Sequence, residues 1–169
     1  MAVEYVDLSD AVRGFMVAEV HHDGEPYAGT YFSAAGIIAW KDLLLTACQN
    51  GDDVSLAAAL RANPYLAEYH DRKGKPAKVP VNAPEVLAES NYGRFYLRGL
   101  CLQAANIGVD HLIGYRAKAV QNPRPGSDDL IGVQFHAPSL LDDLRATMDG
   151  SPALGMPPGV GSGILARLP

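Results

Sequence analysis

The stretch from Asn82 to Gly108, NAPEVLAESNYGRFYLRGLCLQAANIG, constrains this chain most, because it combines a helix start, a helix stop and enough apolar residues to cross a core. Asn82 suits an N-cap and Pro84 an early helical position, while Glu85 stands three residues past the cap, where a capping box takes a carboxylate. Gly108 suits the left-handed residue that ends a helix. Val86, Phe95, Leu97, Leu100, Cys101 and Ala104 cover more of the circumference than a surface helix needs, which predicts a central helix contacted on several sides. Two interior glycines, Gly93 and Gly99, each cost about 1 kcal/mol relative to alanine, so something is expected to pack against the backbone there. Arg94 and Arg98 are four residues apart and share a face. Two readings of that pair stand: it holds a phosphate or a partner's carboxylate, or it is tied to carboxylates of its own fold.

The segments before this helix read as follows. Ser9 caps a short helix carrying Val12, Phe15, Met16 and Val20, with His21 and His22 in its last turn and Gly24 after it; over so few residues, a strand for FMVAEV stays open. Tyr27, Thr30, Tyr31 and Phe32 favour a short strand between Pro26 and Ser33. From Ser33 a helix runs through IIAWKDLLLTACQN to Gly51, and Asp52 caps another, DVSLAAALRAN, closed by Pro64; the short connection predicts a helical hairpin. The run YHDRKGKPAKVPV, Tyr69 to Val81, is basic and broken by Gly74, Pro76 and Pro80, as in a surface loop or arm. Beyond the central helix, HLIGYRAKAV has the residues of a strand and NPRPGSDD those of a turn. Pro138 and Ser139 open a last helix that docks Leu140, Leu141 and Leu144.

At 169 residues the chain can bury one sizeable core. Net charge of -5 and a pI near 5.4 make nucleic acid a poor partner unless Arg72, Lys73, Lys75 and Lys78 form a local basic patch. Cys48 and Cys101 lie in apolar helical surroundings without CxxC spacing and read as buried free thiols. MAVEYVDLSD lacks an apolar secretory core and no run is long enough to span a bilayer, so the expected product is made in the cytoplasm without a membrane partner. None of His21, His22, His70, His111 and His136 stands at HxH or HExxH spacing. The GxGxG of Gly159, Gly161 and Gly163 has no strand before it or helix after it, and Ser162 lacks a strand-to-helix elbow. Glu68, Asp71 and Lys73 have the residue types of a magnesium nuclease, yet they share one short polar loop, where a charge run is ordinarily solvated. No catalytic residue, cofactor or metal is therefore expected.

The terminal run SPALGMPPGVGSGILARLP cannot be a helix or a regular inner strand, because glycine and proline recur every few residues. Ordering such a segment costs roughly 1–2 kcal/mol per residue of backbone entropy, so something must hold it. Met156, Val160, Ile164, Leu165 and Leu168 have the apolar side chains to anchor an arm in a neighbouring subunit, with Arg167 salt-bridged nearby; the alternative is a tail folded back on its own domain.

The blocks EVLAESNYGRFYLRGLCLQA, YRAK at Tyr115 to Lys118, NPRPGSDDLIG at Asn122 to Gly132 and PPGVGSGILARLP, in that order, resemble an uncharacterised family of tailed bacteriophages and prophages over most of the chain. The chain departs from that family's pattern at Asn91-Tyr92-Gly93, where a bulkier residue than glycine is expected, so helix packing differs locally there. The resemblance supplies context and no catalytic residues. It implies a virion or assembly component, present in host cytoplasm before assembly.

The resulting expectation is an α+β, helix-dominated single domain over residues 1–150, with a long central helix, a small sheet and an extended C-terminal arm over 151–169. The leading functional expectation is a structural protein of a tailed-phage virion, a capsid-associated decoration or cement subunit. It would act as a homo-oligomer through multivalent contacts with the major capsid protein or other virion proteins. A head-tail connector is the nearest variant. From a different class, the alternative is a nucleic-acid-binding or nuclease-like host-takeover protein that uses Arg72, Lys73, Lys75 and Lys78 with Arg94 and Arg98.

Overall fold

The computed structural model describes residues 2–147, 155–156 and 162–169. Among these the chain forms one α+β domain with α1 (Asp10–Asp23), α2 (Ala34–Asn50), α3 (Asp53–Ala62), β1 (Tyr69–Arg72), β2 (Lys75–Lys78), α4 (Ala83–Asn106), β3 (His111–Arg116), β4 (Gln134–His136), α5 (Ala137–Ala146) and β5 (Ile164–Arg167). A 3-10 turn, Asp128–Leu130, lies between β3 and β4. No helix among the described residues is long and apolar enough to cross a membrane.

α4 is the central helix, and every residue from Tyr92 to Cys101 is buried. α1, α3 and α5 pack along it, and β3 and β5 cover a further part of its surface. Its start departs from the expected capping box. Asn82 stands at the N-cap but its side chain accepts no hydrogen bond, and Glu85 instead takes Arg61 of α3 in a two-oxygen grip at 2.5 and 2.6 Å. The caps of α1, α2 and α3 form as read, while α5 starts at Ala137, just ahead of the expected Pro138 and Ser139. Ser9 accepts from the Val12 N–H, Ser33 from Gly36, and Asp52 and Ser55 make a reciprocal capping box on α3.

The two glycines of α4 differ. A methyl group on Gly99 would stand 2.8 Å from Met16 Cγ and 2.9 Å from the Val12 carbonyl oxygen, so α1 crosses directly on this backbone. A methyl on Gly93 would meet only Leu165 Cδ2, at an ordinary 3.5 Å, so close packing does not account for that glycine.

The three-stranded sheet has the order β4-β3-β5, antiparallel throughout, with Ile113 opposite Arg167 and Arg116 opposite Ile164. The arm reading is thereby corrected for residues 162–169: they fold back as an edge strand of the chain's own sheet. Four residues free of glycine and proline, ILAR, suffice for a strand at an edge, where one side of the backbone needs no partner. Tyr27 to Phe32 does not form the expected strand; only an isolated bridge joins Phe32 to Leu66. FMVAEV is helical, within α1.

Replacing Gly99 with alanine is expected to destabilise the domain by about 1–3 kcal/mol through overpacking against α1. Gly93→Ala should be neutral or stabilise by up to about 1 kcal/mol. Urea titrations of both variants beside the parent check the pair.

Candidate functional site

The basic run forms a β-hairpin rather than a loop. β1 and β2 pair with Arg72 opposite Lys75 and Tyr69 opposite Lys78, leaving Lys73 and Gly74 as a two-residue turn. Both turn residues have positive φ, 54° and 79°, as a type I′ turn requires. Lys73 is the one non-glycine residue with positive φ among those described, a conformation that costs a side-chain-bearing residue roughly 1–2 kcal/mol. Asp71 helps hold the turn by accepting the Gly74 N–H at 2.7 Å. The Val79 N–H donates to the Glu68 carbonyl, so hydrogen-bonded pairs fall on alternate residues and Pro76, opposite Asp71, lies where no ladder donor is needed.

Four of the chain's 14 lysines and arginines lie on this hairpin: Arg72, Lys73, Lys75 and Lys78. All four are exposed, and none of their side chains makes a hydrogen bond or ion pair among the described residues. Tyr69, 56% exposed, borders an open groove of about 330 Å³ with Asp71, Gly74 and Pro76. A second open groove, about 250 Å³, runs along the hairpin's base, lined by Leu66, Val79 and Val81 together with Arg61, Glu68 and Lys78. Val81 is 83% exposed there. The result is a trough of mixed apolar and charged lining beside a cationic finger.

Arg94 and Arg98 do not join this surface. Arg98 is 1% exposed and donates to Glu19 Oε2 at 2.6 Å and to both carboxylate oxygens of Asp23 at 2.6 and 2.8 Å. Arg145 of α5 grips the same Glu19 at 2.6 and 3.0 Å. Burial works to raise the Glu19 carboxyl, but the hydrogen bonds from Arg145 and the charge of Arg98 outweigh it and hold the group below its ordinary range. Arg94 donates to the carbonyls of Leu144 and Thr147 and to Thr147 Oγ1, closing the C-terminus of α5. The reading that tied the pair to its own fold is therefore the one seen, with Arg98 on carboxylates and Arg94 on the carbonyls of Leu144 and Thr147.

The residues expected to contact a neighbour through the tail are also accounted for within the chain. Met156, Ile164 and Leu165 are buried in the domain's own core, and Leu168 is packed against it with its N–H on Asp7 Oδ2 at 2.8 Å. Arg167 is exposed and unpaired among the described residues; Val160 lies outside them. Glu68, Asp71 and Lys73 do not form a metal cluster, and no group of three or more His, Cys, Asp and Glu does so among the described residues. Cys48 and Cys101 are buried free thiols, both pushed up to about 12 by burial.

Two polar groupings escaped the sequence reading. Tyr5 stacks edge-on against Tyr92 and Tyr96, and its buried hydroxyl has no partner among the described residues. Burial first, and then the charge of Asp53, raises this phenol far above its ordinary value; Asp53 is itself raised by burial. The second grouping is His111 and His136, 25 positions apart and directly opposite each other on β3 and β4. Neither has a signal in linear spacing, because strand register brings them together.

Arg98→Ala should cost about 3–5 kcal/mol, since it leaves Glu19 and Asp23 as buried carboxylates short of a partner. Glu19 titrates lower in the folded chain than its ordinary 4.5, so its stabilisation is complete above that pH and is lost as pH falls through the folded value. Urea unfolding from neutral to acid pH should show this loss in the parent and a shallower acid limb in Glu19→Gln. No family model, curated protein or solved structure matches the chain.

Proposed function

We propose that the chain is a structural, non-enzymatic subunit of a tailed-phage particle and that it meets its neighbours through the β1–β2 hairpin and the trough at its base. The observation that carries this reading is the contrast in charge use. Arg13, Arg61, Arg98, Arg116, Lys118 and Arg145 are all tied within the fold, whereas four of the cations without a partner among the described residues, besides Lys41 and Arg167, are gathered on the hairpin and face solvent. A trough whose apolar residues, Leu66, Val79 and Val81, lie among charged ones suits a protein-protein contact: the apolar part supplies the desolvated centre, and the charges supply orientation and on-rate. The resemblance to phage and prophage proteins supports the particle as the setting. A decoration or cement role follows if many copies each add one modest contact, with a connector position as the variant. Ile164 to Arg167 pair within the chain's own sheet, so the hairpin takes over the interlocking role expected of these tail residues.

A second reading rests on the same cations. Four unpaired positive side chains beside an exposed tyrosine also suit a nucleic acid backbone. Four phosphate contacts would give a log–log salt slope of roughly -3 to -4 on duplex DNA. The acidic remainder of the chain and the apolar part of the trough favour the protein partner.

Mass spectrometry of purified particles should find the chain at high copy number. The variant with Arg72, Lys73, Lys75 and Lys78 all changed to alanine should melt as the parent does, yet be lost from particles. Absence of the parent chain from particles overturns the particle setting, and full incorporation of the variant removes the hairpin from the contact. A salt-steep gel shift with duplex DNA, abolished in the variant, would transfer the function to nucleic acid.

A further inference from the structure

The carbonyl of Asp110 accepts the Ala137 N–H at 2.8 Å and that of Val133 accepts the Gly114 N–H at 2.9 Å. Hydrogen-bonded pairs between β3 and β4 therefore fall on Asp110/Ala137, Leu112/Phe135 and Gly114/Val133. The His111/His136 pair between them is of the non-hydrogen-bonded kind, in which side chains approach most closely and both project from one face. In such a pair the Cβ atoms stand about 4.5–5.5 Å apart, a separation from which two imidazoles can converge on one atom.

The rings are also oriented. His111 Nδ1 lies 3.0 Å from Asp110 Oδ1, and His136 Nδ1 lies 2.7 Å from Ser139 Oγ. A carboxylate oxygen such as Asp110 Oδ1 is an acceptor only. An acceptor can only bind Nδ1 when that nitrogen carries the proton, which leaves the lone pair of neutral His111 on Nε2. The Ser139 hydroxyl can accept as well as donate, so the same tautomer is open to His136. Neither Nε2 has a hydrogen-bond partner among the described residues. A carboxylate or hydroxyl on one ring nitrogen, with the other nitrogen free, is the arrangement that orients histidines as metal ligands.

We infer that His111 and His136 form a two-nitrogen site for a borderline divalent transition-metal ion of the Zn²⁺, Ni²⁺ and Cu²⁺ class, ligated through both Nε2 atoms across β3 and β4. Imidazole nitrogen suits these ions and not Mg²⁺ or Ca²⁺, which take oxygen. No third His, Cys, Asp or Glu completes the set among the described residues, so the remaining positions fall to water or to a ligand atom of a docked molecule. His136 also stands at the N-cap of α5, so an ion here would link that helix's start to β3.

The test is a Zn²⁺ titration of the full, tag-free chain with ¹⁵N-labelled histidine, followed by long-range ¹H–¹⁵N spectra that resolve Nδ1 from Nε2. The Nε2 resonances of His111 and His136 should shift together and saturate at one equivalent. Zn²⁺ should raise the melting temperature of the parent and leave His111→Ala and His136→Ala unmoved, with both variants melting as the metal-free parent does. Asp110→Asn should weaken binding about 10–100-fold while leaving both ligands in place. The inference is overturned if neither Nε2 shifts, if only one does, or if binding survives either alanine substitution because the ion sits at His21 and His22.

Discussion

Arg98, buried between Glu19 and Asp23 of α1, is the interaction on which the helix arrangement depends. A guanidinium with 1% of its surface exposed is tolerable only when its donors are met, and here they are met by two carboxylates and the Glu19 carbonyl. Its neighbour in sequence makes this possible. Gly99 has no side chain to hold α1 away, so α1 comes close enough for its carboxylates to reach Arg98. Arg145 then binds the free side of Glu19 and draws α5 into the same knot. One residue pair of α4 thus sets where two other helices lie.

The remaining arginines extend the same economy. Arg13 donates to the Gly51 and Cys48 carbonyls at the end of α2, and Arg94 closes α5. Each places a cation where a helix leaves its carbonyls unpaired and its dipole is negative. The two ends of the chain are also drawn in. Glu4 donates its N–H to the Ala117 carbonyl and takes the Tyr115 hydroxyl on its own carbonyl, while Leu168 donates to Asp7. Against this inward use of polar groups the hairpin stands out, because its backbone is satisfied internally and its four cations have no side-chain partner among the described residues.

How much of this was legible depended on range. The starts of α1, α2 and α3 follow from Ser9, Ser33 and Asp52, because a cap is a bond across three residues. Asn82 failed for a tertiary reason: Arg61 takes Glu85, the residue that would have completed the box. The hairpin read as a loop because Lys-Gly is not a usual type I′ dipeptide, and its positive φ at Lys73 is held partly by Asp71. The tail misled through composition, since the four residues Ile164 to Arg167 are enough for an edge strand once β3 stands ready to pair.

The amino-acid order alone settles where α1, α2 and α3 begin, that α4 carries apolar residues around most of its circumference, and that both cysteines sit among apolar neighbours. Those properties rest on contacts between residues a few positions apart. The partners of Arg98, the seat of Ile164 to Arg167 and the meeting of His111 with His136 belong to the folded chain. Each needs segments far apart in sequence to lie in one particular register, and a register is chosen by the packing of all the elements together.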